Sequence, residues 1–153
     1  RDFAISNGIT TIGVTTRRPI LSVKANATFN SLTNRGLLFV HEIIAAASTN
    51  DCFIEVVRNG TLTGPSWAAV DSTYSLASKD IASTAISGGI IVDSFYCGTS
   101  SGSGRSTASL APAYKVPVAY SSLLSLSDTM SVVATSFTGT SNVTSSLHWT
   151  EIR

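Results

Sequence analysis

Charged residues are scarce in this sequence, and their scarcity excludes several classes of partner. Only 12% of the 153 residues are Asp, Glu, Lys or Arg, about half the usual share. Ten basic and nine acidic side chains leave a formal net charge of +1. A protein that binds nucleic acid or an anionic membrane needs a basic excess on one face, so we expect neither partner here.

Long apolar runs are also missing, since none approaches the roughly 20 residues of a membrane-spanning helix. The chain begins at Arg1 without an initiator methionine or the apolar segment of a signal peptide, so we expect a processed product or part of a longer chain. Disorder is excluded as well, because 43% of the residues are apolar and the net charge is near zero. Residues 1–153 are long enough to fold as one domain without metals or disulfides.

Serine and threonine take the place of the missing charges. The chain has 25 serines and 19 threonines, together 44 of the 153 residues, and a mean hydropathy of +0.27. Soluble monomers usually keep a charged surface and a net charge away from zero, which resists association. Two interpretations stay open: much of the surface contacts other protein, or the chain is a secreted monomer that its hydroxyl groups keep soluble.

Short β-type runs separated by turn residues dominate the chain. No long helical period competes with them, and no linker or internal repeat divides the sequence. Such spacing is typical of two packed antiparallel sheets. The sequence therefore predicts an all-β protein, an antiparallel β-sandwich or jelly roll of roughly eight to ten short strands.

Three segments carry the clearest strand patterns. Leu37–Ala47 is a long apolar run, typical of a strand buried on much of both faces, with a helix as the open alternative. Cys52–Arg58 alternates in the manner of a strand, with Phe53 and Val57 on the same face. Ile90–Cys97 is rich in β-branched and aromatic residues, which favour strands.

Turn signals predict two hairpins. Asn59-Gly60 supplies the positive φ angles of a tight turn, so residues 61–63 are expected to return beside the preceding strand. Near the end of the chain, strands over residues 129–137 and 143–152 flank a second turn. Alternation in the last strand places Trp149 in the core.

A literal G-x-S-x-G match, the nucleophile-elbow pattern, occurs at residues 98–102 and centres on Ser100. The required strand precedes it, but the helix that should follow is missing, since the chain runs on into Pro112. A hydrolase of this kind also needs a parallel sheet and a longer chain. We interpret the match as chance in a segment rich in Gly and Ser, and we predict no catalytic residue.

The two histidines, His41 and His148, each lie in a strand pattern beside an acid, Glu42 and Glu151 respectively. A triad or a two-histidine metal site is compatible with this spacing, because β folds bring distant strands together. Metal sites usually need three or four ligands, and the sequence has no H-x-H or C-x-x-C motif and no calcium-loop spacing. We therefore expect no metal and no cofactor, and structural or surface roles for both histidines.

The two cysteines, Cys52 and Cys97, both fall in strand patterns, 45 residues apart. If the two strands are neighbours, or face each other across the sandwich, a disulfide closing that loop would stabilise the fold by about 3–4 kcal/mol. Buried cysteines that act as small apolar side chains are the alternative.

Aromatic residues are candidates for a sugar-binding platform, namely Trp67, Trp149 and the four tyrosines. Trp149 alternates with core residues, so we expect it to pack inside. A binding module for a host glycan or surface protein would expose an aromatic-lined groove.

Five stretches of the chain carry a family pattern. They are residues 17–22 (RRPILS), 33–37 (TNRGL), 59–67 (NGTLTGPSW) with Val70-Asp71, 84–89 (TAISGG) and 147–151 (LHWTE). Together they resemble the virion structural proteins of tailed bacteriophages, over most of residues 17–152. The resemblance implies an assembled, extracellular, non-enzymatic part of the virion, such as a head decoration, collar or tail-fibre domain. It implies other virion proteins as partners and transfers no catalytic residue.

Three functions are therefore distinguished. The first is a structural component of a tailed-phage virion that acts through subunit packing in homo-oligomeric copies. The second is a receptor- or carbohydrate-binding β-sandwich module whose ligand is a host surface glycan. The third, a small secreted hydrolase, requires His41 or His148 beside a nucleophile or an acid.

Overall fold

A computed structural model describes residues 1–99, 105–109 and 117–153, and for 105–109 it describes the backbone alone. The described residues form no helix, and so none long and apolar enough to cross a membrane. They form seventeen strands. In chain order these are β1 (Asp2–Ser6), β2 (Thr10–Ile12), β3 (Arg18–Ala25), β4 (Thr28–Phe29), β5 (Leu32–Thr33), β6 (Leu37–Ala47), β7 (Cys52–Arg58), β8 (Thr61–Thr63), β9 (Ala68–Ala69), β10 (Ala77–Asp80), β11 (Ala85–Ser87), β12 (Ile90–Cys97), β13 (Arg105–Ser109), β14 (Pro117–Ser121), β15 (Leu126–Ser127), β16 (Thr129–Ser136) and β17 (Ser141–Ile152).

The strands pair into two large antiparallel sheets. Sheet A has the order β1-β17-β6-β14-β15, with β13 also paired with β6 and β2 with β17. Sheet B has the order β12-β7-β16-β3-β10-β9, and two small pairs, β8 with β11 and β4 with β5, lie outside both sheets. The predicted all-β antiparallel sandwich is confirmed, and the nine described strands of five or more residues agree with the expected number.

The longer strands pair in a nested order. The first strands, β1 and β2, pair with the last strand, β17. Inside that pair, β3 pairs with β16, then β6 with β13 and β14, and finally β7 with β12. The chain therefore runs as one long antiparallel ribbon folded over itself, which brings its two ends together on sheet A.

One hydrophobic core lies between the sheets. Trp149 of β17 is fully buried and stacks on Phe3 of β1, with the ring centroids 5.8 Å apart. Sheet B contributes fully buried side chains from its three central strands, among them Ile20, Ile54 and Val132. Each such aliphatic side chain stabilises the fold by about 1.5–3 kcal/mol relative to leaving it exposed.

Three predicted strands are confirmed with the bounds that the sequence indicates. They are β6, β7 and β12. Residues 37–47 form a strand and not the alternative helix. Along β6, buried side chains alternate with half-buried ones, because successive side chains of a strand point to opposite faces. The alternation shifts once, at His41 and Glu42, where the pairing with β17 is irregular, and so Val40 and Ile43 are both buried.

The hairpin predicted at Asn59-Gly60 is wrong. Asn59 does adopt a positive φ of 54°, but β8 pairs with β11 and not with β7. Both edges of β7 are already paired, with β12 on one side and β16 on the other, so the returning chain finds no open edge. It crosses the outer face of sheet B instead, where Leu62 packs against buried Val57 and Ile86.

The hairpin predicted between residues 129–137 and 143–152 is also wrong. Both strands form, as β16 and β17, and Trp149 is buried as predicted. However, β16 pairs with β3 and β7 in sheet B, while β17 pairs with β1, β2 and β6 in sheet A. The turn at Gly139, with a φ of 58°, carries the chain from one sheet to the other. Each strand thus turns its apolar face toward the core between the sheets.

Candidate interaction surfaces

Both histidines lie on the outer face of sheet A. Nδ1 of His148 is 3.8 Å from Oε2 of Glu42, across the pairing of β17 with β6, and its Nε2 is 3.2 Å from Oγ of Ser146. His41 lines a shallow depression of the same face together with Phe39. The fold therefore brings Glu42 to His148, although in the chain that acid follows His41.

Ser146, His148 and Glu42 have the order of a hydrolytic triad but not its geometry. The 3.8 Å separation of His148 and Glu42 is too long for a hydrogen bond, and their side chains are 31% and 36% exposed. Because β17 pairs with β1 on one edge and β6 on the other, the sheet uses the backbone N–H groups around Ser146, which are therefore not available to an oxyanion. The arrangement provides an ion pair when His148 is protonated.

Glu151, the acid near His148 in the chain, points into the core instead. Its Oε1 accepts hydrogen bonds from the Trp149 indole N–H at 3.1 Å and the Ser75 hydroxyl at 2.7 Å. The backbone N–H of Leu76 donates to the same carboxylate at 3.0 Å. A buried carboxylate is tolerated when it is hydrogen-bonded in this way, so Glu151 has a structural role in joining β17 to the loop before β10.

The remaining sequence motif and the metal-ligating residues do not form a described site. Ser100 of the G-x-S-x-G match lies outside the described residues. Just before it, the backbone N–H of Thr99 donates to Oδ1 of Asp51 at 2.8 Å, which fixes the end of β12 against the start of β7. Within the described ranges, no three His, Cys, Asp or Glu side chains are arranged to hold a metal ion.

Cys52 and Cys97 lie directly opposite each other at the end of the β7–β12 pair, and both are fully buried. Opposite residues of neighbouring antiparallel strands have Cα atoms about 4.5–5.5 Å apart, which a disulfide can span. The structure holds both side chains as thiols, and Sγ of Cys52 donates to the carbonyl oxygen of Asn50 at 3.1 Å. Burial raises the pKa of the Cys52 thiol. The disulfide stays a prediction, and its requirement for neighbouring strands is met.

The outer face of sheet A is broad and carries little charge. We define the A face as the outward side chains of β1, β6, β14 and β17. They are Asp2, Ala4, Ser6, Leu37, Phe39, His41, Glu42, Ile44, Ala46, Pro117, Ala119, Ser121, Asn142, Thr144, Ser146, His148, Thr150 and Ile152. These four strands contain no Lys or Arg, and two acids are the formally charged side chains that they place on the face. Depletion of charge is typical of surfaces that another protein covers.

Exposed leucines mark the hairpin of β14 and β15 at one edge of sheet A. Leu123, Leu124 and Leu126 are 90%, 65% and 62% exposed. Large apolar side chains that are neighbours and this exposed are typical of an interaction site. The hairpin is therefore a second candidate contact, continuous with the A face through β14.

Three aromatic side chains meet on the outer face of sheet B. We call Phe53, Tyr96 and Phe137 the aromatic cluster. The rings of Phe53 and Tyr96 have centroids 5.4 Å apart, and those of Tyr96 and Phe137 are 5.7 Å apart. Tyr96 is 69% exposed and Phe137 51%, so the cluster presents ring surface to solvent.

A fixed ion pair lies beside the aromatic cluster. Nε of Arg17 donates to one carboxylate oxygen of Glu55 at 2.9 Å, and Nη2 donates to the other at 3.1 Å. Glu55 is buried, whereas Arg17 is partly exposed. With Thr135 and the three rings, the pair lines an open groove of about 430 Å³.

The aromatic cluster contains one of the platform candidates that the sequence suggested, Tyr96, but neither tryptophan. Trp149 is in the core, as predicted, and half-buried Trp67 packs under the Lys24 ammonium, 4.6 Å from the ring centroid. The cluster escaped sequence reasoning because its rings come from β7, β12 and the turn after β16. The sequence signal for the cluster was the pair of cysteines. A register that sets Cys52 opposite Cys97 also sets Phe53 opposite Tyr96.

Comparisons of the chain with models of protein families, with curated proteins and with solved structures find no match. An assignment of function therefore depends on the A face, the exposed hairpin and the aromatic cluster.

Proposed function

We propose that the chain is a structural component of a tailed-phage virion, a head decoration, collar or tail-fibre protein located in the extracellular particle. It acts by packing against further copies of itself and against other virion proteins, and not by catalysis. The resemblance carried by residues 17–152 supports the virion context. The charge-poor A face is the observation that carries the packing role.

The size of the A face suits contact with a second copy. β17 has 12 residues, β6 has 11, and β1 and β14 have 5 each, so at ordinary strand rise and spacing their 33 residues cover about 540 Å². Two such faces in contact bury about 1,080 Å², which exceeds the roughly 1,000 Å² expected of a specific interface. A second copy meets this face with the same charge-poor surface, so the contact buries no Lys or Arg of these four strands, whose desolvation would oppose association.

The nested strand pairing supports a finer assignment of the sandwich, to the jelly-roll class. In a jelly roll, eight strands form two sheets, and the class recurs in viral capsid proteins. That recurrence agrees with a virion role. The exposed leucines of the β14–β15 hairpin supply a further contact, which we assign to a different virion protein because they lie at the edge of the A face.

The proposal is tested on the purified chain and on virus particles. Sedimentation velocity over a series of concentrations is expected to show species at multiples of the 15.9 kDa chain mass, which dissociate on dilution. Mass spectrometry of purified particles of the phage that encodes the chain is expected to detect it as a component. A chain that stays monomeric at every concentration, or that is absent from the particles, contradicts the proposal.

A further inference from the structure

We infer that the aromatic cluster and the Arg17–Glu55 pair form a binding site for a neutral sugar, a pyranose ring presented by an oligosaccharide. The site lies on the outer face of sheet B, on the opposite side of the sandwich from the A face. Sugar binding and self-association thus use different surfaces, and the failure of one does not imply the failure of the other.

The aromatic rings supply the apolar half of the site. One side of a pyranose ring is lined by C–H groups, which pack against the electron-rich face of an aromatic ring. Tyr96 and Phe137 are stacked with centroids 5.7 Å apart and an interplanar angle of 26°, and the ring surface that they leave exposed is the platform for such a contact. Phe53 is half-buried beside Tyr96, with the ring planes tilted by 40°, and supports the platform from the sheet.

The ion pair supplies the polar half. Sugar hydroxyls both donate and accept hydrogen bonds, so they need a donor and an acceptor at fixed positions. Arg17 keeps N–H donors beyond the two that Glu55 accepts, and each Glu55 oxygen keeps a lone pair. The bidentate contact holds both groups in place before any ligand arrives, and the hydroxyl of Thr135 adds a third polar group to the groove.

Charge and size select the class of ligand. Arg17 and Glu55 are the charged side chains among the described residues that line the groove, and their charges cancel. A sulfated, phosphorylated or carboxylated sugar therefore gains no net attraction there. The volume of about 430 Å³ lies at the lower end of the range for small-molecule sites, about 300–1,000 Å³, which suits one or two sugar rings better than a protein surface.

A glycan array probed with the whole chain tests the inference directly. The array carries neutral oligosaccharides beside sialylated, sulfated and phosphorylated ones, and its hits are confirmed by saturation-transfer NMR with the free oligosaccharide. Binding to neutral hexopyranosides is expected. Phe137→Ala and Tyr96→Ala are each expected to weaken that binding by about tenfold, because each removes ring surface at the centre of the contact.

Two further variants separate the site from general effects on the fold. Tyr74→Ala removes another exposed aromatic ring, which packs under Arg1 and does not line the groove, and it is expected to bind as the original chain does. Arg17→Lys keeps the charge but loses the planar two-pronged contact with Glu55, so it is expected to weaken binding while the folded state persists, as circular dichroism would show.

Three results would overturn the inference. They are an array without a bound neutral glycan, a preference for the anionic glycans, and unchanged binding by both Phe137→Ala and Tyr96→Ala. Since Phe137 and Tyr96 are largely exposed, their truncation leaves the core intact, and a loss of binding by a folded variant reports on the site.

Discussion

Asp128 joins three segments at one end of the sandwich. Its carboxylate accepts hydrogen bonds from Arg58 at 2.8 Å, from the Asn59 side-chain amide at 2.7 Å and from the Ala119 backbone N–H at 3.4 Å. Burial by itself raises the pKa of Asp128, but the hydrogen bonds and the charge of Arg58 outweigh it, so the pKa lies below its usual value. The ionised carboxylate therefore ties the end of β7 to β14 and β16.

Replacing this carboxylate is expected to make stability less dependent on pH. Since folding lowers the pKa of Asp128, its stabilisation is complete above the unfolded-state pKa of about 3.9 and is lost as the pH falls through the folded-state value. Asp128→Asn should lower the free energy of unfolding by about 1 kcal/mol at neutral pH and by much less at about pH 2. Urea unfolding at both pH values measures the difference, and an equal loss at both would refute this role.

The two cysteines carry a second prediction at the residue scale. Exchange with oxidised glutathione, two thiols against one disulfide, is expected to join Cys52 to Cys97 within one chain, because the two residues are directly opposite in the β7–β12 pair. The reaction should be slow in the native state, since burial raises the pKa of Cys52 and keeps its thiol protonated. Intact mass after oxidation, with and without denaturant, follows the loss of two hydrogen atoms. Pairing between chains, or rapid native alkylation of Cys52, would be the opposite result.

Strands could be predicted from the sequence at the scale of elements, whereas their partners could not. Alternation and composition are local, and they placed β6, β7 and β12 with their observed bounds. Pairing depends on which edges the rest of the chain leaves open. Asn59 takes its turn conformation, yet β8 cannot pair with β7 because that strand already has two neighbours.

The candidate sites likewise combine features that local sequence patterns predict with features that depend on strand pairing. Alternation put Trp149 in the core. Low charge suggested a surface that meets other protein, and the A face, where we propose that contact, is poor in charge. The aromatic cluster needed the register of β7 with β12 as well as the position of the turn at Phe137. Both depend on contacts between residues far apart in the sequence, which the nested order of strand pairing sets. No local sequence pattern predicts them.

Two adjacent glycines before β12 test how closely the outer segments pack on sheet B. Gly88 and Gly89 both have positive φ, 62° and 81°. A Cβ on Gly89 would lie 2.8 Å from backbone atoms of Gly60, whereas one on Gly88 meets nothing within 4 Å. Gly88→Ala should therefore cost only backbone strain, about 1 kcal/mol, and Gly89→Ala about 3 kcal/mol, because overpacking adds to the same strain. Urea unfolding measures how much free energy of unfolding each variant loses. Equal losses would show that the backbone of Gly60 moves aside without a cost in stability.

The whole molecule has two outer faces of different character. Basic residues lie in the strands of sheet B, at Arg18, Lys24, Arg58 and Lys79, while β1, β6, β14 and β17 of sheet A have none, and β13 of sheet A has one, Arg105. Sheet B is partly covered by β8 and β11 and carries the aromatic cluster beside that cover. Because of this asymmetry, we propose association at one side of the sandwich and sugar binding at the other.

Two matched variants test the A face most directly. Ala46 lies in the middle of that face, opposite Thr144 on the neighbouring strand, whereas Ala69 is an exposed residue of the edge strand β9 in sheet B. In sedimentation velocity, Ala46→Lys is expected to shift self-association to concentrations at least about tenfold higher, because the contact would bury an unpaired ammonium group, and Arg105, which lies opposite Ala46 on β13, offers it no acid. Ala69→Lys should sediment as the original chain does. Equal assembly by both variants, or equal loss in both, would contradict the assignment of the A face as the surface that joins copies of this chain.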